Sequence, residues 1–175
     1  GLIFVSRVDE AKKLSLLFNE KGWKTAILSG EDSEEERERI IESLEADNGL
    51  DYIISVDVLN EGVDIPSVNQ IIMLRPTESA IIFVQQLGRG LRKIDNKKYV
   101  VVLDFIANYQ KNYLIPIALS SDKSYQKQKY REFMTELDVI TPDITTIEFD
   151  EVVKERIFKQ INKATIGGKT RIFNE

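Results

Sequence analysis

Residues 51–74 read DYIISVDVLNEGVDIPSVNQIIML, and the way this stretch divides decides the fold class. Two β-branched apolar runs, DYIISV (51–56) and NQIIML (69–74), flank a loop that holds Asp57, Gly62 and Asp64 and is closed by Pro66. Neither run alternates with polar residues, which is the pattern of parallel strands covered on both faces. Working outward, LIFVS (2–6), KTAILS (24–29) and YVVVLDF (99–105) have the same character. Amphipathic stretches separate them. In VDEAKKLSLLFNEKG, Val8, Ala11, Leu14 and Phe18 recur at helical spacing and Gly22 supplies a stop. Ser6 with Asp9 resembles a capping box, with Asp in the Glu/Gln place. In SEEERERIIESLEA, Ser33 and Glu36 form a better box, the acidic first turn suits the helix dipole, and Ile40, Ile41 and Leu44 supply an apolar face. Strand alternating with helix predicts an α/β fold: a parallel sheet with helices on both faces and right-handed crossovers.

After Asp104 the character changes. IANYQKNYLIPIALS and SYQKQKYREFMTEL read as helices, TTIEFD as a short strand and EVVKERIFKQI as a further amphipathic helix. Two regions result: an α/β domain over 1–105 and a mainly helical C-terminal extension of unassigned role over 106–175.

Composition narrows the chemistry. The chain of 175 residues has no cysteine and no histidine, so disulfides, thiolate metal sites and imidazole bases are excluded. Carboxylates, Lys, Arg, hydroxyls and amides remain. No apolar run approaches the ~20 residues that span a bilayer, and GLIFVSRVDE lacks the features of a signal peptide, so a cytoplasmic location without membrane contact is the expectation. A net charge of −5 argues against a uniformly basic coat but leaves room for a local cationic strip on a phosphate backbone.

Two phosphate-site lookalikes fail on spacing. GGKT (167–170) ends like a P-loop, but Lys163 stands where the first glycine is required. DEAK (9–12) imitates an acidic metal box, yet no P-loop precedes it and its acids suit the first turn of a helix. No metal ligand is assigned.

The segment QQLGRGLR (85–92) is different. Two glycines in a helix-prone stretch cost roughly 1 kcal/mol each relative to alanine. On a helix, Gln85, Arg89 and Arg92 fall at spacings of four and three, along one stripe, and Gly88 allows close backbone approach beside it. In the preceding loop, Gly62 suits backbone N–H contact with a phosphate, and Asp64 suits acceptance from a ribose hydroxyl. Taken alone, the loop also reads as an ordinary turn and the octet as a solvated helix.

In order, LIFVSRVDEA, LSG with EEERER, VDVLNEGVDIP and QQLGRGLR resemble the fourth motif, its companion segment, and the fifth and sixth motifs of the second RecA-like domain of superfamily two helicases and translocases. Gln rather than His at the head of the sixth motif resembles type I and type III restriction motor subunits and related DNA repair helicases more than DEAD-box RNA helicases. YVVVLDFIANYQKN is similar to the segment after that motif in the restriction branch.

The resemblance implies a RecA-like sheet over 1–105 and a role as the C-terminal motor domain of an ATP-dependent DNA helicase or translocase. It implies Arg89 and Arg92 as catalytic residues facing the ATP γ-phosphate, with Arg92 the arginine finger. Gln85, Gly62 and Asp64 would serve the nucleotide, and Ser6, Arg7, Ser29 and Gly30 a sequence-independent nucleic-acid backbone. The P-loop lysine and magnesium ligands would lie on an N-terminal RecA-like domain of the same parent, and this chain alone would not turn over ATP. One departure stands out: Val56 occupies the place where the family commonly has Thr, and Ser55, its strand neighbour, faces the other way. The rival expectation is a RecA-like module retained for binding or docking without catalysis.

Overall fold

The computed structural model describes residues 1–58, 65–75, 99–105, 126–136 and 148–163. In chain order these form β1 (Leu2–Val5), α1 (Val8–Glu20), β2 (Thr25–Leu28), α2 (Glu34–Glu45), β3 (Tyr52–Val56), β4 (Gln70–Met73), β5 (Val101–Asp104), α3 (Lys127–Glu136) and α4 (Glu151–Lys163). Strands β1 to β5 with α1 and α2 belong to one compact unit, and α3 with α4 to a second.

The five strands make one sheet in the order β2-β3-β1-β4-β5, and every neighbouring pair is parallel. Thus β1 is central, which explains why Leu2, Ile3, Phe4 and Val5 are all buried. Register fixes which side chains share a face. Ile3 pairs with Ile54 and Ile72, so these three point to one side, where Val5, Val56 and Ala11 of α1 join them. Leu14 and Phe18 of α1 and Ile27 of β2 pack against the same cluster. Phe4, Ser55 and Met73 share the opposite face and are likewise buried. Full burial of each large apolar side chain contributes roughly 1.5–3 kcal/mol, so two filled faces account for the stability of a sheet whose strands are only four or five residues long.

Local signals place the helices. Ser33 caps α2, its Oγ accepting from the Glu36 amide at 3.2 Å, as predicted. Helix α1 begins differently. Arg7, not Ser6, occupies its N-cap position without a side-chain cap, and Asp9 instead accepts from Arg7 Nε at 2.8 Å. The carboxylate is drawn to the guanidinium rather than back to the helix start, so the expected Ser6 box does not form. At the other end Trp23 N donates to Phe18 O and Gly22 N to Asn19 O, both at 3.0 Å, a Schellman closure around Gly22 at φ +89°. Only glycine takes that backbone region without strain. The turn before β3 has a second requirement: a Cβ on Gly49 would lie 1.9 Å from Ser43 O.

In the second unit Tyr130 and Met134 of α3, and Ile157 and Ile161 of α4, are buried and spaced four apart. Lys127 Nζ reaches Asn162 O at 2.9 Å. Of the expected strand TTIEFD, residues 148–150 form no strand; Asp150 caps α4, accepting from Val152 N at 2.9 Å. A carboxylate just before a helix satisfies amides that a strand would direct elsewhere. The expected helix at 106–120 and the GGKT segment lie outside the described residues. No helix among the described residues is long and apolar enough to cross a membrane.

Candidate nucleotide and nucleic-acid interface

Because all five strands run the same way, their carboxyl ends lie along one edge. Ser6 and Arg7 leave β1 there, Ser29 and Gly30 leave β2, and Asp57 and Arg75 follow β3 and β4 by one and two residues. Strand β3 stands between β1 and β2, so the two predicted nucleic-acid segments flank the exit that leads to Gly62 and Asp64, about 10 Å apart at two strand spacings. In open parallel sheets ligands collect at this edge. Gly62, Asp64, Gln85, Arg89 and Arg92 themselves lie outside the described residues.

The four described candidates are not equally available. Arg7 is exposed, and its Nε is engaged by Asp9 at 2.8 Å; the bond from Arg7 holds the Asp9 carboxyl below its usual range. Ser6 is half-buried. Ser29 is buried, and Asp32 Oδ2 accepts from both its amide (2.6 Å) and its hydroxyl (3.1 Å), so its polar groups are spent within the turn. Gly30 is exposed, with open space where a side chain would stand. A backbone could approach the protein here without obstruction.

Val56 is 5 % exposed and belongs to the core cluster under α1. Ser55 faces the other way and is fully buried, its Oγ donating to Val58 O at 2.7 Å. This hydroxyl, the nearest substitute for a threonine contact, holds the start of the loop instead.

Two further features mark this edge. Asp57 adopts φ +55°, and its Oδ1 meets Arg75 Nη1 at 3.0 Å. The Arg75 side chain is 16 % exposed against 67 % for Asp57. Nη1 is buried and lies off the axis of a proper hydrogen bond, so the attraction is that of an ion pair. At the end of β5, opposite Met73, both carboxylate oxygens of Asp104 are buried without a hydrogen-bond partner. Burial pushes the Asp104 pKa up to about 7.

Residues 1–93 match the family model of the helicase conserved C-terminal domain, more than half of the chain. The chain belongs to that family. Among curated relatives, a helicase candidate numbered 22 from a Sulfolobus islandicus filamentous virus is 34 % identical over 108 residues, covering 62 % of this chain and 19 % of its own. The Saccharomyces cerevisiae ATP-dependent helicase candidate IRC3 is 33 % identical over 102 residues, 57 % of this chain and 14 % of its own. This helicase C-terminal domain thus spans under a fifth of the length of either relative. Its fold is that of the RecA-like domains in solved helicases. The yeast DEAD-box splicing factor Prp28 superposes with a TM-score of 0.62 at 20 % identity over 89 % of this chain and 30 % of that one. The C-terminal domain of the DEAD-box protein Dbp5 superposes at 0.51 with 26 % identity over 59 % of each chain.

Within this helicase domain, sequence reading placed Arg75 at the carboxyl edge without its partner, and gave Asp104 no role. The signal for Asp104 was present, an acid ending the apolar run YVVVLDF. The Arg75–Asp57 pairing gave none, since the two residues lie across a third strand.

Proposed function

We propose that this domain serves as the second motor domain of an ATP-dependent DNA helicase or translocase, acting with an N-terminal RecA-like domain of the same parent. The observation that carries the reading is the single carboxyl edge, which gathers the exits of β1, β2, β3 and β4. Asp57 and Arg75 stand at two of these exits, Asp57 ahead of Gly62 and Asp64 in the sequence and Arg75 ahead of QQLGRGLR. Arg89 and Arg92 then face the γ-phosphate, where guanidinium charge and fork geometry match the oxygens on which charge develops, and Arg92 acts as the arginine finger. Gln85 links nucleotide to the domain boundary, Gly62 offers backbone N–H groups to phosphate, and Asp64 accepts from the ribose. ATP supplies the hydrolysable phosphoanhydride, and its magnesium is held by carboxylates of the N-terminal domain.

Ser6, Arg7, Ser29 and Gly30 form the strand-facing surface, Arg7 by charge and Gly30 by open backbone, with contacts independent of sequence. Ser29 shapes its turn through Asp32 and contributes by its position. Cleft closure with ATP and reopening after hydrolysis make two grips alternate along a strand. Residues 1–105 are the motor unit and 106–175 its mainly helical extension. A non-catalytic binding module is the second reading, favoured by Val56, which fills the core where a hydroxyl would meet the strand.

The choice of DNA rests on Gln85 and on YVVVLDFIANYQKN after the sixth motif, and it has a direct test. ATP hydrolysis by the full-length parent is expected to rise at least about tenfold with single-stranded DNA and much less with RNA of matched length and sequence. Stimulation by RNA alone would overturn the DNA assignment. Binding of either strand with no hydrolysis would establish the non-catalytic module instead.

A further inference from the structure

Two side-chain straps cross the central strand of the sheet. Strands β3 and β4 are not neighbours, because β1 runs between them, yet they are joined at both ends. At the amino edge Tyr52 Oη donates to Gln70 Oε1 at 2.5 Å. At the carboxyl edge Asp57 Oδ1 meets Arg75 Nη1 at 3.0 Å. A gap of two strand spacings, about 10 Å, calls for a long side chain at each crossing, a tyrosine at one end and an arginine at the other.

The straps differ in what they can control. Tyr52–Gln70 ties the first residues of the two strands. Asp57–Arg75 ties the first residue after β3 to the second after β4. Each side of this tie is itself anchored: Ser55 Oγ holds Val58 O at 2.7 Å, and Leu74 N donates to Phe4 O at 2.9 Å. Asp57 sits in the left-handed region at φ +55°, where Asp and Asn are tolerated better than most side chains, so the loop begins from one defined direction. The buried Arg75 head gives the tie a rigid end; the more exposed Asp57 gives it an end that can respond to a ligand arriving at the edge.

We propose that the Asp57–Arg75 ion pair is a positioning device for the motor reaction. It fixes the spacing of the β3 and β4 exits, from which the chain continues toward Gly62 and Asp64 and toward Arg89 and Arg92, so that a strand bound at the carboxyl edge alters nucleotide turnover. Asp57 and Arg75 are positioning residues rather than catalytic ones, because they act through the segments C-terminal to them. The inference rests on the motor reading above and deepens it.

The test uses the full-length parent and steady-state ATP hydrolysis with and without single-stranded DNA. Asp57→Asn keeps shape and backbone tolerance while removing the charge, and Arg75→Gln removes the cation. Each is expected to lower DNA-stimulated kcat about tenfold while leaving KM for ATP and unstimulated turnover within about twofold. The double variant is expected to be no slower than the slower single one, because the second change removes nothing further. Arg75→Lys should recover part of the loss. Tyr52→Phe, which cuts the amino-edge strap, should lower stability and leave stimulated kcat unchanged. Equal losses for Tyr52→Phe and Asp57→Asn, unchanged stimulation in both carboxyl-edge variants, or single losses that multiply in the double variant would overturn the proposal. A wild-type parent with no DNA-stimulated turnover would overturn the motor reading itself, a failure distinguishable from these.

Discussion

Replacing Arg92 by alanine in the full-length parent is expected to lower DNA-stimulated kcat on the order of 10³ or more while nucleotide affinity stays nearly constant. An arginine finger meets charge that appears only as the phosphoryl group transfers, so its loss falls on the transition state and little of it on ground-state binding. Lysine should rescue poorly, since it lacks the planar fork that meets two oxygens at once. Measuring kcat together with nucleotide Kd separates the roles. A fall in affinity that matches the fall in rate would make Arg92 a binding residue, and an unchanged rate would return it to the solvated surface.

Asp104→Asn is expected to stabilise the chain, by an amount that grows as pH rises from about 4 and levels off above about 7. The native carboxyl has its pKa raised from 3.8 to about 7 by burial, with both oxygens lacking partners. The folded state therefore holds this proton more tightly than the unfolded state. Below about pH 4 both states are protonated and the carboxyl carries no penalty. Between about pH 4 and pH 7 stability falls as pH rises, because folding then retains a proton that the unfolded chain has released. A pKa difference of this size corresponds to about 4 kcal/mol, an upper bound. Urea unfolding followed by the fluorescence of Trp23, which packs edge-on to Tyr52 in the sheet unit, reads this directly. The gap between the Asp104→Asn variant and wild type should be near zero at about pH 4 and on the order of 2–4 kcal/mol at about pH 8. A gap independent of pH would mean that Asp104 is ionised, or solvated, in the folded protein.

Much of the fold was legible because its signals are local. Runs such as DYIISV are apolar without alternation, and the sheet buries Ile53, Ile54, Ser55 and Val56 on both faces. Ala11, Leu14 and Phe18 recur at helical spacing and all meet the core, although Val8, at the start of the same stripe, is exposed. Ser33 caps its helix, its hydroxyl accepting from the Glu36 amide. Ser6 does not, because Arg7 beside it captures Asp9. Sequence patterns also left the strand order open. The central place of β1 follows from how the crossovers return, and no run of residues records it. The same topology hid the partner of Arg75, Asp57, which lies 18 residues away and across another strand.

The candidate site was legible in a different sense. Glycine and arginine placement in VDVLNEGVDIP and QQLGRGLR pointed to phosphate chemistry, and the helicase family model covers both stretches. Which side chains are free to bind was beyond that reading. Ser29 shares its two polar groups with Asp32, a turn contact that spacing alone does not distinguish from an open hydroxyl.

The most direct measurement compares steady-state ATP hydrolysis by this chain alone, by its full-length parent, and by both with saturating single-stranded DNA. If nucleotide chemistry is shared between two domains, the chain alone stays at background in every condition while the parent turns over and responds to DNA. Vigorous hydrolysis by the pure isolated chain would contradict that division of labour, as would a parent that binds DNA but hydrolyses nothing.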